Sequence, residues 1–325
     1  MEFRTEIDIP ASALSFGHND KIMLLGSCFS DNVGARLRDA WFDVMVNPFG
    51  VSYNPESIAR QLEILISGRK ITPEELFFHD DRWHCFDFHS SFSMASQSDT
   101  LDAMNRSLDA AHNHLSHCST VVVTLGTAWV YREKESQKVV ANCHKLPASR
   151  FERTIMQPEE VEEALRRIRS LISASAPAAG VIFTVSPIRH IADTLAGNML
   201  SKSLLRVAAD IVAAESRTEY FPSYEIMLDD LRDYRFYNSD MVHPSDVAID
   251  YIYDKFLTSH CDATAISAGE RCRKFSLLLQ HRPMTDSDAL LQRHNASIVK
   301  KANDLAASYP YLAARLSAIT KKYSQ

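Results

Sequence analysis

Two short stretches of this chain carry residue types and spacings suited to acyl transfer. The first is Lys21-Ile22-Met23-Leu24-Leu25-Gly26-Ser27-Cys28, an apolar run that stops at a glycine and is followed by two nucleophilic side chains. Ser30 or Asp31 supplies an N-cap for a helix whose apolar positions Val33, Leu37 and Trp41 recur at helical spacing. A strand, a sharp turn and a helix N-terminus aimed at that turn favour negative charge there, as a thiolate or as an oxyanion. The second stretch holds Asp240 and His243, three apart and ahead of Pro244. At that spacing the carboxylate accepts the imidazole Nδ1–H, fixes its tautomer and leaves Nε2 to activate a nucleophile.

Strands that alternate with helices have to bring these stretches together. Phe42–Val46, Thr120–Leu125 and Gly180–Val185 read as buried strands, and a shorter one lies around Tyr220-Phe221. Asn54-Pro55 caps a helix through Ile58, Leu62 and Leu65 that Gly68 closes. Further helices are expected over 100–117, 158–174, 198–216 and 246–258. A Phe/Trp/His-rich segment from Phe77 to Phe92 interrupts the alternation and reads as an insertion near the site, spanning about 70–100. Residues 130–157 read as a polar excursion. The pattern predicts a three-layer α/β/α sandwich with a mostly parallel five-stranded sheet over residues 1–262. A helical extension over 263–325 follows, with one amphipathic helix from Asp286 to about Ser308 and another after Pro310. Its apolar face suits either a cover for the domain or a homodimer contact.

In such sheets ligands bind beyond the carboxyl ends of the strands, and those ends collect Ser27, Cys28, Asn47, Gly50, Gly126, Thr127, Arg189 and His190. His89, in the aromatic insertion, either lines the pocket or is structural, and His190 stands evenly between site and packing. Cys143-His144 contributes a donor or sits in a loop. His112, His114 and His117 read as a solvated helix end, and Ser201-Lys202 as a helix surface pair.

Composition narrows the classes of function. Of the 325 residues 46% are hydrophobic and 23% charged, with a net charge of −6, and there is no long run of Lys or Arg. Such a chain buries a substantial core and is a poor nucleic-acid partner. The opening residues have no apolar signal region and no stretch approaches a membrane span, so the expectation is a cytoplasmic protein without a membrane partner. The six cysteines have no C-x-x-C spacing, which points to reduced thiols rather than a disulfide framework or a zinc site.

Taken together, Gly26-Ser27-Cys28-Phe29-Ser30, Asn47-Pro48-Phe49-Gly50, Gly126-Thr127-Ala128-Trp129, Asn142-Cys143-His144, Ser186-Pro187-Ile188-Arg189-His190 and Asp240-Met241-Val242-His243-Pro244-Ser245 resemble the GSCFA family. That family is similar to the SGNH/GDSL hydrolases, flavodoxin-like enzymes that hydrolyse esters, often acetyl groups on carbohydrates or lipids. The resemblance implies a nucleophile at Cys28, with Ser27 at the place of an aspartate, and a base pair of Asp240 and His243. It implies Gly50 and the Cys28 N–H as oxyanion donors. A third donor, an asparagine in SGNH enzymes, falls at Ala128, so Asn142 or Asn47 replaces it or the donor is missing. A helix N-terminus and an imidazole together are expected to depress the Cys28 thiol pKa. If the turn instead rotates Ser27 toward His243, the site is that of a serine hydrolase and Cys28 packs as a small hydrophobe. The expected activity is hydrolysis or transfer of a small acyl ester, on an acylated saccharide for example, with no cofactor and no metal. The alternative is a degenerate relative that binds an acylated or saccharide ligand without turnover.

Overall fold

The computed structural model describes residues 5–281, 283 and 287–323. Residues 1–4, and Asp286 at the start of the expected tail helix, lie outside the described residues. In chain order the elements are β1 (Lys21–Gly26), α1 (Cys28–Asp39), β2 (Asp43–Val46), α2 (Pro55–Ile66), β3 (Phe77–His79), β4 (Arg82–His84), α3 (Gln97–Leu115) and β5 (Cys118–Leu125). There follow β6 (Trp129–Glu133), β7 (Val139–Val140), β8 (Phe151–Ile155), α4 (Pro158–Ser175), β9 (Gly180–Val185), α5 (Thr194–Ala213) and β10 (Thr218–Phe221). The chain ends through α6 (Ser223–Leu228), α7 (Asp246–His260), α8 (Ala263–Gln280), α9 (Asp288–Ser308) and α10 (Ala313–Tyr323).

The central sheet has five strands in the order β10-β9-β5-β1-β2, and every pairing in it is parallel. Alternation along the strands divides the interior into two cores. Met23, Leu25, Val121, Val123, Phe183 and Val185 face a core closed by α2, α3, α4 and α5. Ile22, Leu24, Val122 and Ile182 face a second core closed by α1 and α7. The fold is therefore the expected α/β sandwich. From β1 the chain steps outward to β2, then crosses to β5 on the other side of β1 and continues outward through β9 and β10. The order reverses between β1 and β5, and at such a point the two strand ends open a crevice.

Local chemistry sets the element ends. Asn54 Oδ1 accepts from Ser57 N at 2.8 Å ahead of Pro55 at the first helical position, and Gly68, at φ 66°, follows the end of α2. The start of α1 differs from the expectation: the N-cap is Ser27, not Ser30 or Asp31, and its hydroxyl accepts from Phe29 N at 3.3 Å. Ser30 instead turns inward, donating to Leu25 O and meeting Thr124 Oγ1.

The aromatic segment forms the antiparallel hairpin β3–β4, flanked by single 3₁₀ turns. Arg60 of α2 clamps it by a bidentate pair with Asp87, at 2.5 and 3.0 Å. The expected polar excursion is in fact a three-stranded antiparallel sheet, β7-β6-β8. Its strands are short, β6 and β8 carry the charged residues Arg132, Glu133, Glu152 and Arg153, and cross-strand hydrogen bonds override the weak apolar pattern. His114, expected at a solvated helix end, is buried, with Nε2 on Ile22 O at 2.9 Å.

The tail helices build a small core of their own on Trp41, with Ala268, Cys272, Phe275, Ile298, Ala302, Leu305 and Leu316. In α9, Ile298, Ala302 and Leu305 are buried whereas Leu291 is exposed. No helix among the described residues is long and apolar enough to cross a membrane. The six cysteines are all free.

Candidate active site

Gly26 closes β1 at φ 122°, and a Cβ there would lie 2.0 Å from Thr124 O. Only glycine lets β1 and β5 approach this closely and still turn. Ser27 N then donates to Thr124 O at 3.1 Å. With its hydroxyl spent on the cap and its side chain buried, Ser27 orients the turn. Cys28, the first residue of α1, is the half-buried nucleophile candidate that remains at the crevice.

The asparagine after β2 braces this turn from the other side. Asn47, at φ 46°, accepts from Gly26 N through Oδ1 at 2.8 Å and donates from Nδ2 to Asp31 at 2.8 Å. Its carbonyl accepts from Gly50 N at 2.7 Å. Both expected oxyanion donors on this loop are thus engaged: the Gly50 N–H closes a turn, and the Asn47 amide holds the nucleophile turn in shape. His89 packs over Gly50, whose φ is 77° and where a Cβ would come within 2.2 Å of the His89 Cβ. The His89 ring bonds back to Ser91, and burial moves its pKa down.

On the other flank, Gly126 N and Thr127 N both donate to Tyr53 O, at 2.7 and 2.9 Å. Thr127 Oγ1 meets Ser201 Oγ at 3.0 Å, and Ala128 N donates to the same hydroxyl. Ser201 and Lys202 are fully buried rather than a surface pair. They lie on the face of α5 that Leu205, Ala208, Ala209 and Val212 turn to the sheet, at helical spacing from those residues. Lys202 Nζ donates to Gly126 O at 2.7 Å and Ser186 O at 2.8 Å, joining the carboxyl ends of β5 and β9. Burial pushes its pKa down to about 7.

Asn142 and His144 belong to a loop tied to the aromatic hairpin. Ala141 N and Asn142 N both donate to Phe86 O, and His144 Nε2 lies 2.8 Å from Cys85 O. Asn142 Oδ1 accepts from His144 N. His144 is buried with no partner on Nδ1, and burial outweighs its bond to Cys85 O, taking it down to about 4. At neutral pH it is an uncharged packing residue.

Asp240 and His243 form the pair their spacing implies. Asp240 Oδ2 lies 2.7 Å from His243 Nδ1, while Oδ1 accepts from the Val242 and His243 amides. Those backbone donors first, and then the imidazole, hold Asp240 at about 2. Both side chains are nearly half exposed, at 47% and 46%. The loop joins the crevice through Arg189 N, which donates to Val242 O at 3.3 Å. The Arg189 guanidinium lies over Tyr237, 4.2 Å from the ring centroid. Arg189 therefore anchors the His243 loop.

His190 is the link between the two halves. Its ring meets Tyr53 edge-on at 5.8 Å, and its Nε2 is buried without a partner. Burial first, then the charges of Lys202 and His243, bring its pKa down to about 4. Burial first, and then the charges of Cys28 and Asp31, raise the Tyr53 pKa. Tyr53 and His190 are thus in ring contact, and Arg189, next to His190, bonds the loop of His243; among the described residues no hydrogen bond joins Cys28 or Ser27 to His243.

The expected depression of the Cys28 thiol is reversed. Burial, reinforced by the Asp31 carboxylate, raises its pKa despite the helix amides and Lys202. The helix N-terminus does favour a thiolate, but a first-turn aspartate and loss of solvent outweigh it. Sequence reasoning also missed Tyr53. A tyrosine before a helix cap carries no special signal, and its position depends on two backbone bonds to β5.

The sequence pattern of the GSCFA family matches residues 21–256. No curated protein matches the chain. Among solved structures, the chain is similar to a carbohydrate esterase family 2 enzyme with a carbohydrate-binding domain from Corynascus thermopiles (Myceliophthora fergusii). The identity is 12%, the match covers 80% of this chain and 69% of that one, and the TM-score is 0.38.

Proposed function

The chain belongs to the GSCFA family, and from that premise we propose that it is an acyl-ester hydrolase, acetylesterase-like, acting on a small ester such as an acylated saccharide. One observation carries the reading: Cys28 opens α1 at the reversal point of the sheet, where Ser27 is committed to the cap. Supporting it, the hydrogen-bonded Asp240–His243 pair sits on a loop that Arg189, just past the carboxyl end of β9, bonds through its backbone.

In this reading Cys28 Sγ attacks the ester carbonyl while His243 Nε2 takes the thiol proton, with Asp240 fixing the tautomer. The Cys28 N–H, at a helix position with no intrahelical partner, faces the developing oxyanion. Collapse expels the alcohol, which receives the proton back from His243, and leaves an acyl thioester. Water then attacks with His243 again as base, releasing the acid and restoring the thiol. Because burial and Asp31 keep Cys28 as a thiol, the imidazole is needed as a base at the moment of attack. Closure of the His243 loop over bound substrate supplies that contact.

A second reading, a module that binds an acylated or saccharide ligand without turnover, draws on Ala128 and on the engaged donors at Gly50 and Asn47. Hydrolysis of an activated aryl acetate by wild type, Cys28→Ala, Ser27→Ala and His243→Ala separates the two. The hydrolase reading expects Cys28→Ala and His243→Ala to fall to background, Ser27→Ala to retain turnover, and a thiol-directed probe to label Cys28. No turnover and no selective labelling by thiol- or serine-directed probes supports the binding module.

A further inference from the structure

An oxyanion bound only by the Cys28 N–H is poorly stabilised, and the polar hydrogens around the turn are mostly spent. Gly50 N donates to Asn47 O, Ser27 N to Thr124 O, and Gly126 N and Thr127 N to Tyr53 O. Asn47 Nδ2 goes to Asp31 and Ala128 N to Ser201. The Tyr53 hydroxyl, by contrast, makes no hydrogen bond among the described residues.

We propose that Tyr53 is the second oxyanion donor, its phenol O–H taking the place of the asparagine that Ala128 lacks. This rests on the acyl-hydrolase reading.

The backbone holds Tyr53 against the nucleophile turn from both sides. Ser52 N donates to Gly26 O at 2.9 Å, and Tyr53 O accepts from Gly126 N and Thr127 N at 2.7 and 2.9 Å. Residues 52–53 therefore lie across the carboxyl ends of β1 and β5, the strands between which the sheet reverses. The ring is pressed on Gly126, where a Cβ would stand 3.1 Å from both Tyr53 Cβ and Cδ1. On its other side it meets His190 edge-on at 84°. These contacts fix the ring and leave only the hydroxyl without a partner. Burial, then the neighbouring Cys28 and Asp31, raise the phenol pKa, so the group remains a donor wherever Cys28 chemistry runs. When Sγ bonds to the carbonyl carbon, the oxygen that gains charge sits one bond from that carbon, between the helix N-terminus and this ring. A phenol there does no work in the ground state and gains a short, charge-assisted bond in the transition state.

The test is Tyr53→Phe, which removes one oxygen and leaves the packing. With an activated aryl acetate, kcat should fall about 10²–10³-fold with little change in KM, the loss typical of one oxyanion donor. Affinity for a trifluoromethyl ketone, whose adduct with Cys28 carries the same oxyanion, should fall in parallel. A Tyr53→Phe enzyme within about twofold of wild type, beside an inactive Cys28→Ala, overturns the role of Tyr53 and leaves the nucleophile standing. A loss seen in Asn142→Ala instead also overturns it. Hydrolysis retained in Cys28→Ala, or a wild type that neither turns over ester nor binds the ketone, overturns both readings.

Discussion

The nucleophile turn and the imidazole loop lie on the same edge of the sheet and are built in opposite ways. Around Cys28, long-range bonds fix every neighbour: Gly26 N to Asn47, Ser27 N to Thr124, and Ser52 N to Gly26. Gly26 sits where no other residue fits. Around His243 the bonds are mostly local, from Asp240 to residues two and three further on. Among the described residues, Arg189 N, the bridge of Tyr237 to Pro244 and the packing of Val242 against the second core tie that loop to its surroundings. Its pair is nearly half exposed, and Met241 carries a positive φ of 58°. The difference teaches a division of labour. In the proposed hydrolase, the group that would form the covalent bond is held in place by the sheet, whereas the group that would move protons rides on an exposed loop.

Removing the base should produce the largest effect. His243→Ala should lower turnover by about 10²–10⁴-fold, the usual contribution of a positioned general base. A stability change below about 0.5 kcal/mol is expected for this exposed residue. Esterase rates and urea denaturation read the two effects; marked unfolding in His243→Ala would mean that the loop is not the independent region described above.

Breaking the braced region should act on stability. Gly26→Ala forces a Cβ into Thr124 O and should cost about 3 kcal/mol in urea denaturation. Asn47→Ala leaves the buried Gly26 N–H unsatisfied and should cost about 1–3 kcal/mol.

Lys202 places a pH dependence beneath the braced region. Its folded pKa is about 7 against the usual 10.5, so between those values the unfolded chain binds more protons and this residue's contribution rises with pH. Below about 7 both states are protonated and the burial penalty is present in full. Stability curves of Lys202→Met and wild type should therefore diverge across pH 7–10.5, the wild type gaining relative to the variant. His190, at about 4 against 6.5, gives a second window. Its stabilisation is full above pH 6.5 and is lost as pH falls through 4, and His190→Gln should flatten that limb. Parallel curves in either window would show that the burial of that group is not linked to folding.

The smallest effect should come from Met241→Gly. It relieves an exposed left-handed residue and should change stability by less than about 1 kcal/mol, while an altered kcat would report the loop's part in catalysis.

Much of this comparison was legible in the sequence. The apolar run into Gly-Ser-Cys, the strands and the Asn54-Pro55 cap follow from local propensities, and the Asp240–His243 pair needs only an i, i+3 spacing. What escaped depends on contacts between distant segments. The Ser27 cap, in place of Ser30 or Asp31, is set by the tight approach of β1 and β5, and Tyr53 is held by amides more than 70 residues away. Lys202 was in principle readable, since it lies three before Leu205 and seven before Ala209, on the buried stripe of α5. A lysine beside a serine invites a surface assignment until its helix face is counted. The thiol pKa needed both depth and the position of Asp31, and neither is a matter of spacing.

The most direct measurement is acid-quench mass spectrometry of the enzyme mixed with an activated aryl acetate, followed by peptide mapping. The account predicts one acetyl group on Cys28 as a thioester, formed within the first turnover and much more slowly in His243→Ala. Acetyl on Ser27, or undiminished turnover with no acetyl on Cys28, would contradict it.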